Sequence, residues 1–276
     1  MAVARIDERP TEQRPVLAVG PAGHLLRLAP VLRAVAVGLS LIALWQVLIL
    51  VFQPPSFMFP DPERVFAALR DRQDLWRVHA PTTLVETLIG LATGTLCGAV
   101  IALAMSLQPL TRRILLPTIV ITQAFPVFAI APLLVLWFGY GIGSKVVMAT
   151  IAIFFPVASA FYDGMNRADP QVLDLTRLYG ASHWHQVMLV RVPGAMPGLI
   201  SGIRLAAVYA PIGALVGEWV GASSGLGYAM LQANGRAQTD VVFACLFIIA
   251  LMSVVLRAVV DVLTARLAPW APESVV

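Results

Sequence analysis

The chain has 276 residues, 59% of them hydrophobic and 12% charged, with mean hydropathy +0.82 and formal net charge +4. Soluble domains are about one quarter charged, so these few charges could not cover a water-soluble globule, and that class is excluded. The nineteen basic residues comprise one lysine, Lys145, and eighteen arginines; gathered between long uncharged runs, they read as membrane-orientation signals and not as a nucleic-acid footprint.

Residues 1–31 form a polar N-terminal tail without the apolar core and cleavage site of a removable signal. A membrane-crossing helix needs about 20 apolar residues, and 32–52 supplies the first. The chain leaves the membrane at Gln53, Pro54 and Pro55. Asp61, Pro62, Glu63 and Arg64 then form a helix start, with an N-cap acid and a first-turn proline. Val65, Phe66, Leu69 and Trp76 follow among charges, which predicts an amphipathic helix lying on the membrane surface.

A second span is expected over 84–107, where Gly90, Gly94 and Gly98 recur every fourth position and predict a face packed against protein. The third, 114–138, is interrupted by Pro117, Pro126 and Pro132, which membrane helices tolerate beside other helices or a cavity. A fourth covers 144–162, a fifth 195–216 and a sixth 241–256, with a short tail at 269–276. The expectation is an all-α integral membrane protein of about six transmembrane helices, its membrane domain covering 32–268 and bathed in lipid.

Arginine placement predicts sidedness. Arg5, Arg9, Arg14, Arg27 and Arg33 in the tail, Arg112 and Arg113 after the second span, and Arg167, Arg177 and Arg191 in the 163–193 loop would all be cytoplasmic, as would both termini. The far side holds Lys145 and Arg236, with Trp137 and Trp219 at belt positions.

The 163–193 loop carries two short helical patterns. Asp169 and Pro170 open the first, which shows Val172, Leu175 and Tyr179 on one face; Gly180 can end it, and Ser182 can cap a second through His183, Trp184, His185 and Gln186. Most such loops are solvated connectors, but an exposed apolar face implies that something docks there. His183 and His185 lack a third ligand for a metal and are read as docking residues.

Asp174, Leu175, Thr176, then Gly180, Ala181, Val190, Val192 and Pro193 have the spacing of the EAA motif of ABC importer permeases, which the chain resembles. The triplet departs from Glu-Ala-Ala, while Gly180, Ala181 and Pro193 fit. Pro126, Ala129, Pro132, Trp137, Phe138, Gly139 and the run Ser201, Gly202, Ile203, Arg204, Leu205 extend the likeness over about 60–265. Within the family it is similar to the branch of sulfonate, taurine, nitrate and thiamine-precursor permeases. Gly217, Glu218, Trp219, Val220 and Gly221, with Ser224, Gly225, Leu226 and Gly227, are closest to the pyrimidine-precursor members.

The resemblance implies a methionine-importer-type permease fold in a bacterial inner membrane, with the loop acting as a cytoplasmic coupling helix. It also implies three kinds of partner: a separate ATP-binding subunit, a second permease copy, and a periplasmic or extracellular solute-binding protein. The permease would bind no cofactor of its own, ATP being held by its partner.

Candidate path residues are Gln123 and Phe125 beside Pro126 and Pro132, where broken helices expose carbonyls, together with Arg204, Glu218 and Trp219. Two readings stand for Glu218: it faces the path, disfavouring anions, or its carboxyl reaches headgroup water. Trp219 either stacks on a solute ring or belongs to the aromatic belt. Arg204 needs a carbonyl, an acid or cavity water as partner. Glu86, Arg257 and Asp261 are read as structural groups able to reach an interface.

No catalytic or metal motif is present: Cys97 and Cys245 lie in apolar runs, and a phosphate loop, nucleophile elbow and zinc-protease helix are all missing from the sequence. A stand-alone secondary transporter would call for an inverted hydropathy repeat and paired mid-membrane charges. A membrane enzyme would call for clustered His, Asp or Cys at one depth.

Overall fold

The computed structural model describes residues 22–270, and among them every regular element is helical. The expected tails fall largely outside the described residues, 1–21 and 271–276. The described residues fall into two compact units, one up to residue 53 and one from residue 54. In the first, helix α1 spans Ala22–Phe52 and so begins before the expected boundary at 32; its stretch Ala36–Phe52 is apolar.

The second unit opens with α2 (Pro62–Asp71), which ends where Arg72 leaves the helical region at φ −111° and ψ 41°. Helix α3 (Gln73–Leu107) starts at once, carrying Pro81 inside it. The expected surface helix running to Trp76 and the span start at 84 are therefore corrected: Trp76 belongs to α3 and closes the corner by donating its indole N–H to the Leu69 carbonyl at 3.0 Å. α2 buries Val65 and Ala68 and sets Phe66 edge-on to Phe247, ring centroids 5.9 Å apart, so its apolar face meets protein.

The expected third span is two helices, α4 (Pro109–Ala124) and α5 (Val127–Phe138), bent by 103°. Proline pushes the residue before it into extended backbone, and Phe125, ahead of Pro126, has φ −83° and ψ 130°. Pro117 and Pro132 sit inside their helices without ending them.

Helix α6 (Ile142–Asn166) is the centre of the unit, lying between α3 and α9 (Val192–Gly221). Its residues Ala149, Ile153 and Val157 are fully buried, with glycines facing them from both sides. A Cβ on Gly98 of α3 would stand 2.6 Å from the Phe154 carbonyl oxygen, and one on Gly202 of α9 would stand 2.9 Å from Val157 Cα. Lipid provides no hydrophobic drive between helices, so close backbone approach through small residues supplies the packing. The Gly90, Gly94, Gly98 stripe meets α6 as expected.

The helices of the 163–193 loop are α7 (Pro170–Leu178) and the short α8 (His183–Gln186). The fifth span does not begin at 195 but runs unbroken over His183–Gly221, through a π-helical turn at Val187–Arg191 in which the Val192 N–H reaches back five residues to the Val187 carbonyl. Pro193 has no N–H to close an ordinary α turn, and the wider π turn accommodates that loss. After α9 come α10 (Leu226–Gly235) and α11 (Thr239–Thr264). Four helices, α3, α6, the α8–α9 run and α11, are long and apolar enough to cross a membrane, or five spans if the bent α4–α5 pair counts as one.

Candidate functional site: a coupling loop and a buried polar knot

The loop helices are built from local capping. Asp169 caps α7 by accepting the Gln171 amide at 2.8 Å. At the far end Gly180 takes φ +76°, and two amides turn back: Gly180 to Arg177 O at 2.9 Å and Ala181 to Thr176 O at 3.0 Å. These are the paired bonds of a Schellman cap, in which a glycine avoids the Cβ penalty of the left-handed region. Ser182 then caps α8, its hydroxyl also 2.7 Å from His185 Nδ1.

Leu173 points inward, whereas Leu175, Leu178, Tyr179 and Trp184 are exposed, Leu178 and Tyr179 by 85% and 84%. Leu178 and Trp184 extend the apolar face expected from Val172, Leu175 and Tyr179. Asp174 pairs with Arg177 at 2.9 Å on the solvent side, and Thr176 bonds the Leu173 carbonyl. Val190, Val192 and Pro193 are half-buried at the loop's root, where Val192 packs with Ala102, Met105 and Phe161. His183, read from sequence as a docking residue, has Nε2 3.2 Å from the Ser106 carbonyl near the end of α3, so it anchors the loop to the body.

The path candidates separate into three settings. Gln123, Phe125, Pro126 and Pro132 lie exposed along the bent α4–α5 pair. Arg204 of α9 pairs with Asp261 of α11 at 2.7 Å, and Asp261 also holds Arg257 at 3.0 Å, so this group ties two helices together. Trp219 is 45% exposed, but its neighbour Glu218 is only 1% exposed.

Glu218 belongs to a polar knot in which each oxygen has its own donor: Oε1 accepts from Thr83 Oγ1 at 2.6 Å and Oε2 from the Gly227 amide at 2.5 Å. Thr83 Oγ1 in turn accepts the Leu226 amide at 2.8 Å, and His79 Nδ1 accepts the Gly225 amide at 3.1 Å. Three successive amides at the start of α10 are thus capped by side chains of α3 and α9. Gly225 has φ +110°, and any Cβ there would collide with the Glu218 carboxyl. Neither headgroup water nor an open path reaches Glu218 in this arrangement. Glu86 is 3% exposed and joins the knot instead of reaching an interface, which corrects its sequence reading.

Lys145, 2% exposed, completes the knot by donating to the carbonyls of Tyr140, Gly141 and Gly221. Sequence reasoning treated it as an outer surface charge. The one available signal was its being the only lysine in the chain, set just after the glycines of the α5–α6 turn.

Residues 94–271 match the family model described as "Binding-protein-dependent transport system inner membrane component". The "Probable ABC transporter permease protein" of Haemophilus influenzae is 45% identical over 82% of this chain and 92% of the relative. The formylaminopyrimidine transport permease protein ThiX of Halalkalibacterium halodurans is 34% identical over 86% of this chain and 94% of its own. The taurine transport system permease protein TauC of Escherichia coli is 31% identical, covering 83% and 86% respectively. With a helical membrane fold, a motif-bearing loop and these full-length likenesses together, the chain belongs to the binding-protein-dependent transport system inner membrane component family and is a permease subunit of an ABC importer.

Proposed function

We propose that this permease docks a separate ATP-binding subunit on the α7–α8 loop, pairs with a second copy of itself, and receives solute from an outer binding protein. One observation carries the reading: the loop holds Leu175, Leu178, Tyr179 and Trp184 in water on a rigidly capped pair of helices. An exposed apolar face of this kind marks an interaction site. ATP hydrolysis then takes place on the partner, and the permease supplies no reacting group. With α1 as the first of six crossings and α4–α5 as a bent third, both termini lie in the cytoplasm of a bacterial inner membrane, in keeping with the arginine distribution.

The solute proposed is an aminopyrimidine precursor of thiamine, on the strength of the likeness to a formylaminopyrimidine permease. Burial of Glu218 removes the charge argument against anions, so a taurine-like sulfonate, the solute named for another relative, is the second reading. Gln123, Phe125, Pro126 and Pro132, with Arg204 and Trp219, remain the proposed path-lining set.

Co-purification from detergent with the ATP-binding subunit tests the docking claim. Native chain is expected to hold the subunit, and Gly180→Pro to lose it while still inserting in the membrane, because proline cannot adopt the positive φ at this cap. A native chain that captures no ATPase would overturn the proposal in favour of a stand-alone transporter. Uptake of labelled formylaminopyrimidine against labelled taurine decides between the solutes.

A further inference from the structure

Lys145 lies in the first turn of α6, where the turn after α5 meets the end of α9. An ammonium has three donors, and all three go to backbone carbonyls: Tyr140 and Gly141 from the turn, Gly221 from the last residue of α9. None remains for a solute. Carbonyls at a helix C-terminus carry the negative end of its dipole, so the cation sits where the surrounding backbone favours it. The complementary arrangement holds at α10, whose N-terminal amide of Gly227 meets the Glu218 carboxyl. Glu86 and Glu218 are the carboxyl neighbours of Lys145. Its own backbone is also pinned, since a Cβ on Gly217 of α9 would lie 3.1 Å from Lys145 Cα.

Ionisable groups inside membrane helices are expensive and are retained for function. Packing alone could be met by methionine, which has similar length and no desolvation cost. What methionine cannot do is donate to a carbonyl 76 positions away in sequence, at Gly221, and to the nearer turn at once. The α4–α5 corner, by comparison, is bent by 103° and leaves Phe125 58% exposed.

We infer that Lys145 is a positioning residue for transport: it staples the α5–α6 turn to the end of α9, so that these two ends move as one body when the importer cycles. The inference rests on the importer reading above, with a binding protein engaging the side where these turns lie.

The test uses the whole complex in proteoliposomes: permease, ATP-binding subunit, and binding protein loaded with formylaminopyrimidine. Native chain is compared with Lys145→Met and with Ile153→Ala, a packing change in the same helix away from the knot. Lys145→Met is expected to leave basal ATPase unchanged and to cut binding-protein stimulation about tenfold, within the range of an ordinary coupling between distant sites. Amide exchange should quicken in 139–143 and 218–227 together, and Lys145→Arg should recover part of both signals. Full stimulation in Lys145→Met, faster exchange in one turn alone, or an equal loss in Ile153→Ala at matched melting temperature would each overturn the inference. If the native complex is not stimulated, the solute reading fails instead, and the exchange comparison, which needs no solute, still decides the staple.

Discussion

The α7–α8 loop and the polar knot place polar and apolar groups in opposite ways. The loop keeps its apolar side chains exposed, Leu178 and Tyr179 foremost, and satisfies its backbone through neighbours: Asp169 to Gln171, Ala181 to Thr176, Ser182 to His185. The knot buries Glu86, Lys145 and Glu218 and satisfies its backbone over distances of up to 146 positions in sequence. A region built from local bonds can be displaced as a unit and still stay folded, which suits a docking element. A region built from crossed bonds loses several partners when any one is removed, which suits a fixed joint.

Removing the knot's centre should have the largest effect. Glu218→Ala leaves the Gly227 amide unpaired and the Thr83 hydroxyl with only the His79 carbonyl, and is expected to cost about 1–3 kcal/mol for each buried group so left, seen as a sharp fall in melting temperature and membrane yield. Glu218→Gln keeps one acceptor and should recover part of this. Next comes the α3–α6 contact: Gly98→Leu would overpack against Phe154 and Val157, for about 1–3 kcal/mol in the same melting measurement.

In the loop, Gly180→Ala meets no neighbouring atom, so only backbone strain of about 1–2 kcal/mol applies. Gly180→Asn should be milder, because asparagine tolerates the left-handed region. Smallest in stability is the pair Leu178→Ser and Tyr179→Ser, expected within about 0.5 kcal/mol of native because both side chains face water. Loss of the ATP-binding subunit in co-purification with unchanged melting would separate docking from folding. A large fall in melting temperature there would instead make the loop face part of the fold.

Much of the loop was legible because its determinants are consecutive. Asp169, Gly180 and Ser182 announce caps by residue type, and the motif spacing places them. The glycine stripe on α3 was legible for the same reason, since its period alone marks one helix face. Other features were not. Trp76 was assigned to a surface helix because the break at Arg72 carries no glycine or proline, and the fifth span was started at 195 because a π turn leaves no compositional mark. Glu218 was weighed between a path and headgroup water, although its partners, Thr83 and Gly227, come from a distant helix and the next one.

By itself the sequence determined that this chain lives in a membrane and how the two loop helices α7 and α8 are capped. These follow from transfer free energy and from bonds between near neighbours, both of which are readable residue by residue. Only the tertiary structure decided that Lys145, Glu86 and Glu218 are buried as electrostatic neighbours, and that α6 lies between two glycine-bearing helices. The reason is physical: a buried charge is tolerated according to which carbonyls and amides converge on it, and convergence is set by how distant segments pack.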